Sequence, residues 1–420
     1  MTYSTSRPPA GSFVVPIALL VALGPMGAMA QSSGEIADLQ RQVEDLQNQI
    51  DEVRENDSPV VFTNRDNVRL TFNGRISAVA LYADQGPNDQ FFFADNDASG
   101  SRFGFTAEAD FQDLTAGLRF EIATEVNSTD DIDFGFTPGV ADDDSDFGDV
   151  RQAHLFFESD RFGYLSIGQG NTAAEDTAHA DLSGTSLGGA GSDVDDIAGG
   201  ISFTPDDGTD LGSAGDIDAF FDIQDGFRET RVLYITPDIQ GLSLGVSAST
   251  NDGDDGVEPA VGIYYDAEFG AIEMESAASW RIEEDGSDED NIFVGSASFL
   301  HSSGINLTLA GSVGDIEGED EDTTAFFVKL GYRADLFDFG DTRFSVDYFI
   351  GENNFEFASP SGNLPEAESI GVVAVQQISR VNAEIFAGYR YYDVSDVFIG
   401  GVETELDEMN VFYTGARIRF

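Results

Sequence analysis

The sequence predicts an all-β fold, a 16-stranded antiparallel transmembrane β-barrel preceded by a short N-terminal coiled-coil helix. Three observations lead there. Apolar residues recur with period 2 in segments of about ten residues, the length a tilted strand needs to cross a bilayer. The connectors between those segments alternate between short turns and long acidic loops. The composition is 78 acids against 20 bases, net charge −58, with aromatics at 11% and 35 of them Phe. Disordered chains of such charge are poor in aromatics. Mean hydropathy is slightly negative, which does not suit a helical membrane protein. A sheet alternating polar and apolar residues satisfies all of these facts. The acidic balance argues against a nucleic-acid partner, and the absence of cysteine excludes disulfides and thiolate centres.

Residues 1–30 read as a secretory signal, with Arg7 ahead of the apolar run Phe13–Leu23 and Ala28-Met29-Ala30 as a small-x-small cleavage site. The run is short for a membrane anchor and Pro16 interrupts it. Residues 31–57 then carry Ile36, Leu39, Val43, Leu46, Ile50 and Val53 at alternating spacings of 3 and 4, the a and d positions of a coiled coil. This stripe is too narrow for a helix lying on a globular core. It reads as an oligomerisation segment. Taken alone, β-branched a positions with Leu at d favour a dimer, so the number of chains depends on the domain C-terminal to it.

From residue 58 to the end lies the barrel domain. In 68–82 Leu70, Phe72, Ile76 and Tyr82 alternate with Thr71, Asn73, Arg75 and Ser77. Further segments lie at 102–111, 115–125, 150–158, 163–169, 229–236, 241–250 and 260–269. The rest are 271–282, 291–301, 304–313, 324–333, 342–351, 369–379, 383–393 and 409–420. Turns such as Asp160–Gly163, Asp238–Gly241 and His301–Gly304 are short. The loops at 126–149, 251–259, 283–290, 314–323, 352–368 and 394–408 are long and acidic. Tyr82, Trp280, Tyr348, Tyr391 and Tyr413 sit near segment ends, as an interfacial girdle does. A sandwich shows no such alternation of connectors, and closure removes the exposed edges of so many strands. An even strand number places the helix and the C-terminus on the same, periplasmic, side.

Several segments resemble those of the general bacterial porins. Asn73-Gly74-Arg75 is similar to that family's first strand, and Ser101-Arg102-Phe103-Gly104-Phe105 with Glu108–Phe111 to its second. Val150-Arg151-Gln152-Ala153 and Phe162–Gly168 resemble the strands before its constriction loop, and Gly415–Phe420 its terminal strand. The resemblance covers about 60–420 and rests on order and spacing. It implies a homotrimer in the outer-membrane lipid, passing ions and small hydrophilic solutes, with Phe420 read by the barrel-insertion machinery. The added helix is similar to that of a subset with a periplasmic coiled-coil stalk, which in a trimer is three-stranded. The loop at 170–228 would set the narrowest point, with acids Glu175, Asp176, Asp181, Asp193, Asp195 and Asp196. Arg75, Arg102 and Arg151 match the family's basic wall, and Arg119 shares the lumenal face of its strand. Leu155-Phe156-Phe157 leaves the parity of the strand carrying Arg151 open.

Nothing else in the chain points to chemistry. The acidic runs near 142–146 and 317–322 lack the order of a calcium loop, so no metal and no cofactor is expected. His154, His179 and His301 are scattered, outside any catalytic constellation, so no enzyme is expected. Excess carboxylate with a single lysine, Lys329, is a composition suited to high salt, as in a halophilic Gram-negative bacterium. A general diffusion channel is the first reading. The alternatives are a selective channel, for dicarboxylates for instance, and an envelope tether.

Overall fold

The computed structural model describes residues 60–62 and 68–420, except 87, 135–147, 206–210, 212–214, 251–255, 286–287 and 320. The signal segment, the coiled-coil stripe and the acidic run at 142–146 lie outside the described residues.

The strands are β1 (Val60–Phe62), β2 (Val68–Gln85), β3 (Asn88–Asp95), β4 (Arg102–Phe111), β5 (Leu114–Ala123), β6 (Val150–Ser159) and β7 (Gly163–Asn171). They continue as β8 (Arg228–Ile235), β9 (Leu242–Thr250), β10 (Glu258–Phe269), β11 (Ile272–Asp285), β12 (Asp288–His301) and β13 (Ile305–Asp315). The last are β14 (Thr323–Phe337), β15 (Gly340–Glu352), β16 (Glu366–Ile378), β17 (Ala383–Ser395), β18 (Phe398–Ile399), β19 (Val402–Glu403) and β20 (Met409–Arg419). Sixteen of them close an antiparallel barrel, and each of the sixteen period-2 segments is one of these strands. The seam is β20 against β2, in register from Arg75↔Arg419 to Asp84↔Asn410. Phe420 completes it by exchanging backbone hydrogen bonds of 2.9 Å with Gly74. Its ring lies 2.7 Å from where a Cβ on residue 74 would be, so a larger residue there has to displace the ring.

Two features depart from the sequence reading. The loop expected at 283–290 is taken up almost wholly by strand, because β11 and β12 stay paired out to Asp285↔Asp288. In addition, β3 folds back on β2 and pairs with Ala78–Gln85, while β4 pairs with Val68–Arg75 on the same side. Between them, residues 96–101 turn into the lumen, where Asn96 and Ser99 are buried.

Alternation holds along the wall. Phe326, Leu330 and Tyr332 of β14 are exposed on the outer face, and Phe327 and Lys329 face in. The girdle needs one correction, since Tyr413 points inward and is buried, while Tyr82 is on the outer face with Tyr348. The cause is parity: Tyr413 alternates with exposed Phe412 and shares its face with buried Met409 and Val411.

The described residues of the connector between β7 and β8, 172–227, fold back inside the barrel. Its only described α-helix is α1 (Ile217–Phe221), capped by Asp216, whose side chain accepts from the Ala219 amide at 2.9 Å. Leu187, Val194, Ile197, Phe203, Phe220 and Phe221 of this loop pack on inward residues of one half of the wall, among them Phe327, Phe349, Val373, Phe386 and Val411. On that half the lumen is filled by an apolar core rather than water.

Candidate pore constriction

The open half of the lumen is lined by β2 and β4 to β8. Parity turns Arg75, Arg102 and Arg119 inward. Arg151 has the outward parity of its strand, but a register shift sits between Glu121 and Ile122, which pair with Gln152 and Val150 respectively. Arg151 is the extra residue of this bulge, and a bulge re-aims the side chain it carries. It reaches Glu121 at 3.4 Å. The bulge therefore resolves the parity that the sequence left open.

All four predicted wall arginines converge on Glu121, a residue that sequence reasoning missed. Arg102 lies 3.4 Å and Arg119 3.5 Å from its carboxylate, Arg75 adds its charge nearby, and Glu121 itself is 5% exposed. Arg75 also donates from Nε to the Gly100 carbonyl at 2.8 Å. The missed signal was parity: Glu121 is two residues from Arg119 on the same face of β5.

The loop acids divide into three groups. Glu175 and Asp176 stand at the edge facing the arginines. Glu175 pairs with Arg228 at 2.8 Å, yet burial pushes its carboxyl up to about 8. Asp176 is exposed; burial is outweighed by His179, Arg228 and Arg102, which hold it below the usual carboxylate range. Asp193 belongs to a second group around His179, accepting from Nε2 at 2.6 Å, with Asp176 and Asp225 at 3.4 and 3.6 Å from Nδ1. Burial opposes the charge on that ring, but the three carboxylates prevail and hold His179 well above its usual value.

The third group is turned away from the arginines. Asp181 meets buried Lys329 at 2.8 Å, and Lys329 also donates to the Ala190 carbonyl at 2.6 Å. Arg333, Arg343 and Tyr392 donate to the carbonyls of Ser183, Gly184 and Val194, at 3.1, 3.3 and 2.7 Å. Wall cations and the Tyr392 hydroxyl thus pin the loop through its backbone. Burial, with Asp218 and Asp193 as like-charged neighbours, raises Asp195 and Asp196 well above the carboxylate range, so they give up charge before Asp176 does.

The comparisons bear on this arrangement. The family model described as Gram-negative porin matches residues 17–397. The chain belongs to the Gram-negative porin family. A search of the curated proteins finds no similar sequence. The fold is similar to that of Salmonella typhi OmpF in complex with daunomycin, at TM-score 0.57 and 16% identity, covering 86% of this chain and 100% of that one. It is also similar to an anion-selective porin from Comamonas acidovorans, at TM-score 0.54 and 14% identity, over 84% of this chain and 100% of that one. The trimer form of Vibrio cholerae OmpT is similar at 0.52 and 16%, over 84% and 100%. This porin is an outer-membrane channel for passive diffusion of ions and small hydrophilic solutes. Proteins of this family and fold are typically non-enzymatic channels.

Proposed function

We propose that the porin's narrowest point lies between the arginines gathered on Glu121 and the loop edge carrying Glu175 and Asp176. The observation that carries this is the ion pair between loop and wall, Glu175 with Arg228 at 2.8 Å, beside Asp176, whose carboxyl is held below the usual range, against burial, by His179 first and by Arg228 and Arg102 after it. Cations opposite a carboxylate create a transverse field, which passes polar solutes and disfavours apolar ones. Asp181 holds the loop through Lys329, and Asp195 and Asp196 lie among other loop carboxylates.

The arrangement favours general diffusion over a dedicated dicarboxylate site. Glu121 already occupies the position where the guanidiniums converge. A solute carboxylate must compete with it. His154 is engaged by Gln169 and Tyr164, His301 by Ser303 of its own turn, and His179 by three loop carboxylates.

The functional unit in this proposal is a homotrimer in a Gram-negative outer membrane, with the helix of 31–57 in the periplasm. The Vibrio protein in trimer form supports it. So does the exposed apolar outer face of β2 to β4, which carries Ile76, Phe91, Phe93 and Phe103. Phe420, half-exposed beside the seam, is available as the insertion signal.

Planar-bilayer reversal potentials under a salt gradient test the constriction. Replacing Arg75 and Arg102 by Ala shifts selectivity toward cations. An unchanged reversal potential in the folded double variant removes these arginines from the path.

A further inference from the structure

The loop inside the barrel is fastened at two separate places. Its first limb is bound to the wall. Thr177 is hydrogen-bonded to Ser279 of β11 at 2.7 Å, and Ser296 of β12 donates to the Thr177 carbonyl at 2.7 Å and accepts from the Ala180 amide at 3.0 Å. Its middle limb is bound to the apolar core, where Val194 is buried and its carbonyl accepts from Tyr392 of β17. Between the limbs lies a cavity of 190 Å³, lined by residues 178–181 on one side and by Gly191, Ser192, Asp193 and Asp196 on the other. Packing does not join them there.

The His179 ring does. Nε2 lies 2.6 Å from Asp193, the residue before Val194, and Nδ1 lies 3.4 Å from Asp176 and 3.6 Å from Asp225, where the loop returns to β8. Three limbs thus meet on one ring. Asp225 turns its other oxygen to the Ala178 amide at 3.1 Å, and Asp176 accepts from Asn171 at 2.7 Å. Asp176 also has a φ of 65°, a left-handed conformation that persists in a residue with a side chain only where its surroundings hold it. Among the described residues, His179 is the only cation at ion-pair distance from any of these three carboxylates.

We propose that His179 is a positioning residue for diffusion through this porin: its charged ring ties the wall-bound and core-bound limbs of the loop together and keeps Asp176 at the path. The inference rests on the reading that this edge of the loop borders the path. Around a neutral ring the three carboxylates repel one another, and the limbs part along the cavity between them. Other charged groups facing the ring are Glu175 with its partner Arg228, and Asp196, Asp181 and Lys329 around the cavity. Burial works against the ring's charge, yet the carboxylates outweigh it and hold the ring well above its ordinary value. The ring's share of the clamp is therefore full below about pH 6.5, the ordinary histidine value, and is lost as pH rises through the raised one. Asp225, which burial pushes up to about 6, is ionised throughout that rise.

Single-channel recording of the full-length porin, together with NMR of isotope-labelled histidine, tests this. The chain has three histidines, so His154→Gln and His301→Gln identify the His179 signal by elimination. The expected result is a ring that stays charged well above the ordinary histidine range, with open-channel noise that grows with pH in step with loss of its proton. His179→Gln is noisy at every pH. His179→Lys keeps a cation, stays quiet and loses the pH response over the range in which the ring titrates. The ring titration of the unsubstituted porin keeps the test intact if a His179 variant does not fold. Noise reports loop motion whether or not the wall arginines set selectivity, so these outcomes are separate from the reversal potential of the Arg75 and Arg102 double variant. A ring that titrates at its ordinary value, folded His179→Gln channels as quiet as the unsubstituted ones, or a noise response to pH that His179→Lys leaves unchanged overturns the proposal.

Discussion

Glu121→Gln isolates the charge logic of the constriction. Three guanidiniums lie within 3.4 to 3.5 Å of this carboxylate, and Arg75 contributes from slightly farther away. The substitution keeps side-chain size and one acceptor oxygen, and takes the cluster from four cations less one anion to four cations. A permeating ion passing about 6 Å from the carboxylate interacts with it by roughly 0.7 kcal/mol at the dielectric constant of water. The sign is opposite for anions and cations, so their ratio moves by about 1.4 kcal/mol, close to tenfold, when the charge is removed. Screening at about 0.1 M salt, where the Debye length is about 10 Å, cuts this to roughly fourfold. The assay is the reversal potential under a salt gradient, in low and in high salt. The expected result is a shift toward anions that grows as salt falls. A folded variant with an unchanged reversal potential refutes the placement of this cluster in the permeation path.

Three further outcomes rest on the same charges and packing. Glu175 is the titrating group of the loop edge, pushed up to about 8, while Asp176 is held low and His179 high. Acidifying from about pH 9 to 7 therefore removes one negative charge beside Arg228, and the channel moves toward anions; Glu175→Gln abolishes that response in reversal-potential titrations. Lys329→Met leaves Asp181 buried without its cation and costs about 3–5 kcal/mol in denaturant unfolding, with added open-channel noise from the loosened loop. Lys329→Met with Asp181→Leu recovers much of that loss. Gly371→Ala destabilises by about 1–3 kcal/mol, because its Cβ would lie 2.5 Å from Arg390 and 2.6 Å from Asp347. An unchanged unfolding midpoint in this variant shows that the buried Arg390–Asp347 pair, 2.8 Å long, gives way freely.

The barrel was legible because its wall obeys one rule, in-out alternation, which survives wherever one face meets lipid and the other meets polar groups. The alternation is blurred where neither face is polar, although those segments still read as strands. In Val372-Val373-Ala374-Val375, Val372 is exposed outside while Val373 and Val375 are buried inside beneath the loop. The same holds for Phe326 and Phe327. Such doubly apolar stretches on β14 and β16 mark the half of the wall that the loop covers, a signal present in the sequence and not used. The bulge at Arg151 left no trace in periodicity, since one extra residue in a short strand is indistinguishable from ambiguous parity.

Counting acids in the loop could not sort them, because what each acid does depends on what the wall sets opposite it. Asp181 faces the porin's single lysine and is consumed by it. Asp195 and Asp196 face other carboxylates and are driven toward the protonated form. Asp176 faces arginines and keeps its charge. The same side chain on one loop is thus an anchor, a group whose charge its neighbours disfavour, or a pore charge. Wall cations divide accordingly. Lys329, Arg333 and Arg343 are spent on loop carbonyls, whereas Arg75, Arg102, Arg119 and Arg151 remain around Glu121 in the open half. With 20 bases among 420 residues, each wall cation committed to holding the loop is one fewer for the path. Selectivity therefore depends on where the loop is pinned as much as on total charge, and a net charge of −58 does not by itself make the constriction cation-selective.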